Sequence, residues 1–474
     1  MFGILKKKSL QDKIIIRQDN ISFTPKQILK DIRKINLNLN HVKKPIIFLK
    51  VRNNFSFVII YIALMHNDSV IFLIDENINQ KKLKSLINKF DPNYLISLDK
   101  EDNYKIRARK IYQFNDYRIF LINKKKHKVN KDLKLLISTS GISGPSKFVM
   151  LSKENLRLNL YQICKYLKIS SNDNVILNMP LSYSFGLSVL NSHFSKGSEI
   201  TLSNNSIVEK FFWDDFNRRN ITTLYAVPQV LEVLKKLKID IKIFKHLRFM
   251  AVAGGKTNNE VLKYFLNISK KMKFNFFNMY GQTEASPRIS YLNLTKNQEL
   301  IGSIGNAVHG GKLYIKDKHN KIIHKPNIQG NLFYEGKNVM IGYATNKKDL
   351  TKKRTNKYKL DTKDIAIKDK KSNFYIVGRA DKFVKINSIK IDLQDLEDYL
   401  YKFLGTNVCL EFKNKIYVCI EKKILHKIKI IKKLCTYSQL NKNNLKIFCL
   451  KKFPKNNNKI SIFKIREILK KKLN

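Results

Sequence analysis

Between Leu135 and Leu156 the chain reads LLISTSGISGPSKFVMLSKENL. A hydrophobic strand runs into a turn of Ser, Thr and Gly that ends on Lys147. Small residues let backbone N–H groups come up against phosphate oxygens. Hydroxyls add hydrogen bonds, and the lysine contributes a positive charge. This is chemistry suited to a polyphosphate. The spacing G-x-x-x-x-G-K-[ST] of the Walker A loop is absent, and composition alone leaves an ordinary turn open. The five cysteines, Cys164, Cys409, Cys419, Cys435 and Cys449, form no C-x-x-C pair. None stands at metal-ligand spacing from a histidine, so they read as reduced structural thiols.

Such a turn needs a sheet behind it. Ile46 to Val51 and Val70 to Ile74 are short apolar runs rich in β-branched residues and predict strands. Between them, Phe55 to Met65 predicts a buried helix. Lys82 to Phe90 predicts an amphipathic helix that Asp91-Pro92 breaks, and NYLISL predicts a further strand. The alternation continues to about residue 270, with strands near Val175–Leu177, Glu199–Leu202, Thr222–Ala226 and Phe249–Val252. It predicts an α/β fold whose sheets are mixed but mostly parallel. From Gly302, short strands between Gly, Asn, Lys and Asp turns predict a β-rich subdomain. After Arg379, strands and helices alternate in a compact α+β pattern, closing on a basic helix over Ile460 to Leu473. A chain of 474 residues is too long for one ordinary core. We expect a large N-terminal domain over 1–379 and a small C-terminal domain over 380–474.

The formal charge is +55, from 92 Lys and Arg against 37 Asp and Glu. Lys, Asn and Ile are abundant in loops and helices alike, as coding bias would produce. No basic stripe interleaves with aromatics, so the expectation is general attraction for anions and no specific nucleic acid. The longest apolar run, Phe55 to Met65, is too short to cross a bilayer. MFGILKKKSL lacks a signal-peptide apolar region. A cytoplasmic protein with no membrane span is expected.

The glycine-rich turn resembles the phosphate loop of the adenylate-forming superfamily: acyl-CoA synthetases, peptide-synthetase adenylation domains and luciferases. The family form is roughly T-S-G-T-T-G-x-P-K-G. Here it is Thr139-Ser140-Gly141-Ile142-Ser143-Gly144-Pro145-Ser146-Lys147-Phe148. Ile142, the Pro–Ser order and Phe148 depart from it; hydroxyls, glycines and lysine remain. The loop and the segments LSYSFGLSVLNSH and MYGQTEA are similar in particular to bacterial acyl-CoA synthetase/AMP-acid ligase forms.

Further motifs follow in the family's order over nearly the whole chain. Pro180 to Gly186 is similar to the segment walling the acyl pocket, with Tyr183 at its aromatic position; Phe185 reads better as plain core. Ala253-Gly254-Gly255 resembles the turn lining the adenine and acyl sites, where a bare backbone lets a flat group lie close. Asn278 to Glu284 (NMYGQTE) is similar to Y-G-x-T-E. The resemblance implies that Tyr280 stacks on adenine beside Gly281 and Asn278 bonds its amino group. It also implies that Thr283 binds the α-phosphate and Glu284 holds Mg²⁺. Asp364, in Leu360 to Asp364, matches the ribose-binding aspartate, with Lys363 in place of a glycine. Arg379 would contact ribose or phosphate, and Asp381 falls at the interdomain hinge. Phe453 to Ile460 resembles the C-terminal lysine loop, one residue short and with Asn458 for its glycine. Lys459 matches the lysine that bridges carboxylate and α-phosphate.

The resemblance implies ATP, Mg²⁺ and CoA as co-reactants and a mobile C-terminal lid. A carboxylate would attack the α-phosphate, releasing pyrophosphate, with Lys147, Thr283 and Lys459 as catalytic residues. The acyl-adenylate would then pass its acyl group to a thiol. Ser388 replaces the glycine that lets a pantetheine arm pass, so the acceptor is left open between CoA and an acidic acyl or peptidyl carrier protein. The alternative is a degenerate, non-catalytic homologue that binds nucleotide or acyl groups.

Overall fold

The computed structural model describes residues 3–98, 108–138, 147–379, 382–386, 389–421, 427–438, 440–456 and 459–473. They form two compact units. The first is built from Met1–Thr139, Lys147–Leu313 and Tyr334–Leu360, the second chiefly from Tyr314–Phe333 and Asp361–Asn474.

Two large sheets make the first unit. In one, Asn275–Gly281, Phe249–Val252, Thr223–Ala226, Asn174–Leu177, Glu199–Leu202 and Ile16–Gln18 lie side by side, all parallel. Arg288–Asn293 and Ile21–Phe23 extend its two sides antiparallel. In the other, Leu133–Ser138, Val70–Asp75, Ile46–Val51 and Tyr94–Leu98 are parallel. Phe148–Ser152 joins Leu133–Ser138 antiparallel, and Gly342–Ala344 joins Phe148–Ser152. The expected mixed, mostly parallel α/β architecture is therefore the one observed.

The apolar run 55–65 is the helix Phe55–His66, and every residue from Phe55 to Met65 is buried. A helix apolar on all sides belongs inside a core. Asn54 starts it by accepting the Phe57 N–H at 2.9 Å. No helix among the described residues is long and apolar enough to cross a membrane.

One element was not expected. After Lys147 the chain forms the buried strand Phe148–Ser152, and Ser138 pairs with Phe148. The glycine-rich segment thus connects two antiparallel strands. Ser152 then caps the helix Lys153–Leu167 through a capping box with Asn155.

In the second unit, Lys359–Lys368 pairs antiparallel with Phe374–Arg379. Further along, the helix Leu393–Leu404 packs with the strands Asn407–Phe412, Lys415–Ile420 and Leu445–Cys449. Alternation along Asn407–Phe412 divides two small cores. Cys409 faces Leu396, Leu400 and Leu434, whereas Val408 and Leu410 face Phe453, Ile465 and Leu469. The last helix begins at Ile462, two residues later than its sequence pattern predicts, because Lys459–Ile460 pairs with Lys455–Asn456. All five cysteines are free. Burial pushes the Cys164 and Cys409 thiols up and Cys419 up to about 12, as suits packing residues.

Candidate active site

Parallel sheets bind ligands at the carboxyl ends of their strands. Here Phe249–Val252 runs out into Ala253-Gly254-Gly255, and Val252 pairs with Asn278 on the neighbouring strand. Gly254 has φ +92°, a conformation for which glycine is suited. A Cβ on it would lie 3.5 Å from Val227 Cγ1 and 4.0 Å from the Phe185 ring. The half-buried Asn278 donates its amide to the Ser303 carbonyl at 2.9 Å, leaving its amide oxygen to accept. The half-buried Tyr280 pairs with Ser290, and the antiparallel register shifts between Tyr280 and Gly281. A Cβ at Gly281 would collide with the Pro287 carbonyl, so the sharp return after the strand requires glycine there.

The turn Thr283–Ala285 carries the two polar residues of the motif. The Thr283 hydroxyl lies 3.0 Å from that of Ser184, the residue after Tyr183. Glu284 accepts a hydrogen bond from the Tyr343 hydroxyl at 2.8 Å. The Lys147 ammonium stands 5.7 Å from the centroid of that same tyrosine ring. Tyr343 therefore links the lysine of the glycine-rich segment to the carboxylate of NMYGQTE. Burial, and then Glu284, push its phenol far up, so it stays a neutral donor. Tyr183 is half-buried, and burial with Asp75 beyond it pushes its phenol up to about 12.

The return from Thr283 to Arg288 is held from two sides. Fully buried Asn338 donates to the carbonyls of Ala285, at 2.7 Å, and Arg288, at 2.9 Å, and accepts from the Tyr334 hydroxyl at 2.7 Å. Ser286 adds a bond to the Asn338 carbonyl at 2.7 Å. From the other side, the helix Lys153–Leu167 presents Asn155, Asn159 and Gln162 at i, i+4 and i+7, on one face. Asn155 donates to Lys337 O at 2.7 Å and Asn159 to Arg288 O at 3.1 Å. Gln162 reaches His309 O at 2.7 Å.

Asp364 and Arg379 belong to the second unit. They pair across adjacent strands, with Arg379 Nε 3.8 Å from Asp364 Oδ1. Lys363 adopts φ +62°, the conformation a glycine would favour. Its amide and ammonium both bind Asp361, at 3.0 and 2.6 Å. Thr139, Ser140, Gly141, Ser143, Gly144, Asp381, Ser388 and Asn458 lie outside the described residues, as does the side chain of Lys459.

Thus Lys147, Tyr183, Ala253, Gly254, Gly255, Asn278, Tyr280, Gly281, Thr283 and Glu284 are joined by adjacent residues or direct contacts in the first unit. Sequence reasoning missed Ser184, Arg288, Asn338 and Tyr343. Tyr343 and Asn338 come from a β-rich stretch whose side chains carry no spacing signal toward Glu284. Phe185, read as core, is buried, but it also lies against Gly254.

Mg²⁺ usually takes one or two carboxylates and completes its shell with water and substrate phosphates. Glu284 fits that role, since the Tyr343 hydroxyl fixes one oxygen and leaves the other to bind. Among the described residues no three His, Cys, Asp or Glu gather into an all-protein cage.

A family model described as AMP-binding enzyme matches residues 8–344. The luciferin 4-monooxygenase of Photuris pensylvanica is 25% identical over 343 residues, 70% of this chain and 61% of the relative. The oxalate–CoA ligase of Saccharomyces cerevisiae is 26% identical over 305 residues, 62% of this chain and 54% of the relative. The chain therefore spans little more than half the length of these curated relatives. Among solved structures, the O-succinylbenzoate coenzyme A synthetase of Bacillus subtilis, in complex with AMP, superposes with a TM-score of 0.75 at 17% identity. The match covers 97% of both chains.

Proposed function

We propose that this chain, which belongs to the AMP-binding enzyme family, uses ATP to convert a carboxylic acid into an acyl-adenylate and then passes the acyl group to a thiol. The supporting observation is that Asn278 pairs with Val252 just before the Ala253-Gly254-Gly255 turn, that Thr283 meets Ser184 beside the Phe185 that packs on Gly254, and that Lys147 is tied to Glu284 through Tyr343.

In the first half-reaction a carboxylate oxygen attacks the α-phosphorus. The bond from that phosphorus to the bridging oxygen breaks, and pyrophosphate leaves with the electron pair. The attacking group is already ionised, so no general base is needed. Tyr280 offers a face for adenine, and Asn278 an acceptor for its amino group. Thr283 would bond the α-phosphate, with the Ser184 hydroxyl beside its own. Lys147 and Lys459 would oppose the charge gathering on phosphate oxygens. Glu284 would hold Mg²⁺, which supplies further positive charge there. Asp364 would take the ribose hydroxyls, beside Arg379.

In the second half-reaction a thiol sulfur attacks the adenylate carbonyl, AMP departs and the thiol proton goes to solvent. CoA and an acidic carrier-protein thiol are the two acceptors. The basic chain would attract either, because both carry negative charge. We assign 1–379 to adenylation and 380–474 to a lid that turns about Asp381 between half-reactions. A cytoplasmic location would fit the use of ATP and the free cysteines.

Hydroxylamine trapping tests the reading. Protein, ATP, Mg²⁺ and a panel of acids should yield hydroxamate and pyrophosphate with the right acid, and Lys459→Ala should abolish both. Hydroxamate formation undiminished in Lys459→Ala would remove that lysine from the mechanism. Absence of ATP binding by calorimetry would remove the proposal.

A further inference from the structure

Arg288 is 2% exposed, and among the described residues no carboxylate pairs with it. Its guanidinium lies 5.0 Å from the centroid of the Phe185 ring. Its Nε is buried without a hydrogen-bond partner. A second orphan stands close by. Tyr225 is 4% exposed, packs edge-on against Phe185 at 6.1 Å between centroids, and has a buried hydroxyl without a partner. The two donors come from different strands, Arg288–Asn293 and Thr223–Ala226, and flank one aromatic ring.

That ring borders the proposed acyl site. Phe185 follows Ser184, which touches Thr283, and it packs against Gly254. Tyr166 is stacked on Tyr291 at 4.0 Å. Burial pushes its phenol up to about 12, opposed by the charge of Arg288 and by a hydrogen bond from it, so Tyr166 is one partner of the guanidinium while Nε has none. His193 packs edge-on to Tyr225 at 5.7 Å, and burial brings its imidazole down to about 4, so it adds no charge at neutral pH. Asp173, a buried acid just before the strand Asn174–Leu177, is already held in two bonds by Arg248, at 2.8 and 2.7 Å.

Buried polar groups are normally satisfied, and a buried charge is normally paired. A guanidinium with a spare N–H and a hydroxyl without a partner, both against the Phe185 ring, lack an acceptor. A planar fork matches a carboxylate in both shape and charge. We propose that Arg288, with Tyr225, binds a second carboxylate at the far end of the substrate, so that the acid activated is a dicarboxylic acid. This rests on the adenylation reading for the reacting end; the distal subsite stands on its own geometry.

The test compares oxalate, malonate, succinate, glutarate and adipate with acetate, propionate, butyrate, valerate and hexanoate. Binding is followed by calorimetry in the presence of AMP, and turnover by pyrophosphate release. One dicarboxylate should bind about tenfold or more tighter than its matched monocarboxylate. Arg288→Met should erase that preference while raising the thermal midpoint of the unliganded protein, because an unpaired buried charge is removed. Tyr225→Phe, a smaller change, should weaken the dicarboxylate several-fold and leave monocarboxylates unaltered. A purely structural Arg288 gives the opposite pattern: a lower midpoint in Arg288→Met and no dicarboxylate preference in the parent protein. Equal binding of both acid series, or a preference unmoved by both variants, overturns the subsite even if pyrophosphate is released. Preference lost in the variants without any pyrophosphate release would keep the subsite and reject adenylation.

Discussion

Asn338→Ala removes a fully buried carboxamide that fastens the return from Thr283 to Arg288. Three side-chain bonds disappear, but their loss is unequal. The Arg288 carbonyl keeps the Asn159 amide as a donor. The Ala285 carbonyl and the Tyr334 hydroxyl lose their Asn338 partner. Each unsatisfied buried group costs about 1–3 kcal/mol, so the variant should lose about 3 kcal/mol. The lesion sits one residue from Glu284 and two from Thr283, so function should fall beyond what unfolding explains. Positioning errors of this kind cost about a hundredfold in rate. The assays are the thermal midpoint and, at a temperature where the variant stays folded, pyrophosphate release and AMP affinity. Tyr334→Phe is the companion: it leaves both carbonyl bonds in place and should cost about 1 kcal/mol, with nearly normal turnover. An Asn338→Ala variant with a lowered midpoint but parental turnover and AMP affinity would refute the clamp. The turn would then hold Thr283 and Glu284 by its own backbone.

Two further outcomes follow from the same structure. Tyr343→Phe deletes the bond that orients the Glu284 carboxylate and should raise the Mg²⁺ concentration needed for half-maximal pyrophosphate release by about tenfold or more; an unchanged Mg²⁺ dependence would separate Tyr343 from the metal. Asp173→Asn breaks the pair between buried Asp173 and partly exposed Arg248 and should cost about 1–2 kcal/mol at neutral pH. Burial alone would raise the Asp173 carboxyl, but Arg248 and the Ser170 amide hold it below its ordinary value. Its stabilisation is therefore complete above the unfolded-state pKa of about 4 and disappears as pH falls through the lower folded value. Thermal midpoints of parent and variant should converge below about pH 4; a gap that persists in acid would refute the assignment.

Local patterns were legible in proportion to how local their causes are. The helix Leu393–Leu404 matches its sequence pattern because Leu393, Leu396 and Leu400 supply one apolar face and all three reach the core. The residues of NMYGQTE lie within one strand and its turn, so a seven-residue string carries half of the candidate residues joined in the first unit. What holds them is remote. Tyr343 is 59 residues beyond Glu284, and Asn338 is 53 beyond Ala285. Neither position has a spacing that singles it out. Arg288 was hidden differently: among 92 basic residues it looks like one more solvated charge, and only its burial, shared with Lys50 and Lys134, sets it apart. The strand Phe148–Ser152 was masked by the strong helix-start signal that Ser152 and Asn155 give immediately after it.

The glycine positions bear on whether the site has lost its chemistry. Glycine persists at Gly281, where any Cβ would strike the Pro287 carbonyl, and at Gly254, where φ is +92° beside Phe185. At Lys363 a glycine is replaced, yet the backbone keeps φ +62°. The strain of about 1 kcal/mol for a side chain in that region is offset locally, because Asp361 binds both the amide and the ammonium of Lys363. The next residue, Asp364, still donates its amide to Thr362 at 3.2 Å and still faces Arg379. At Lys363 a neighbouring side chain holds the conformation, whereas at Gly281 and Gly254 space and backbone geometry call for glycine. Gly281 and Gly254 thus answer to the fold itself, and Lys363 keeps the Asp364 turn by a local bond to Asp361.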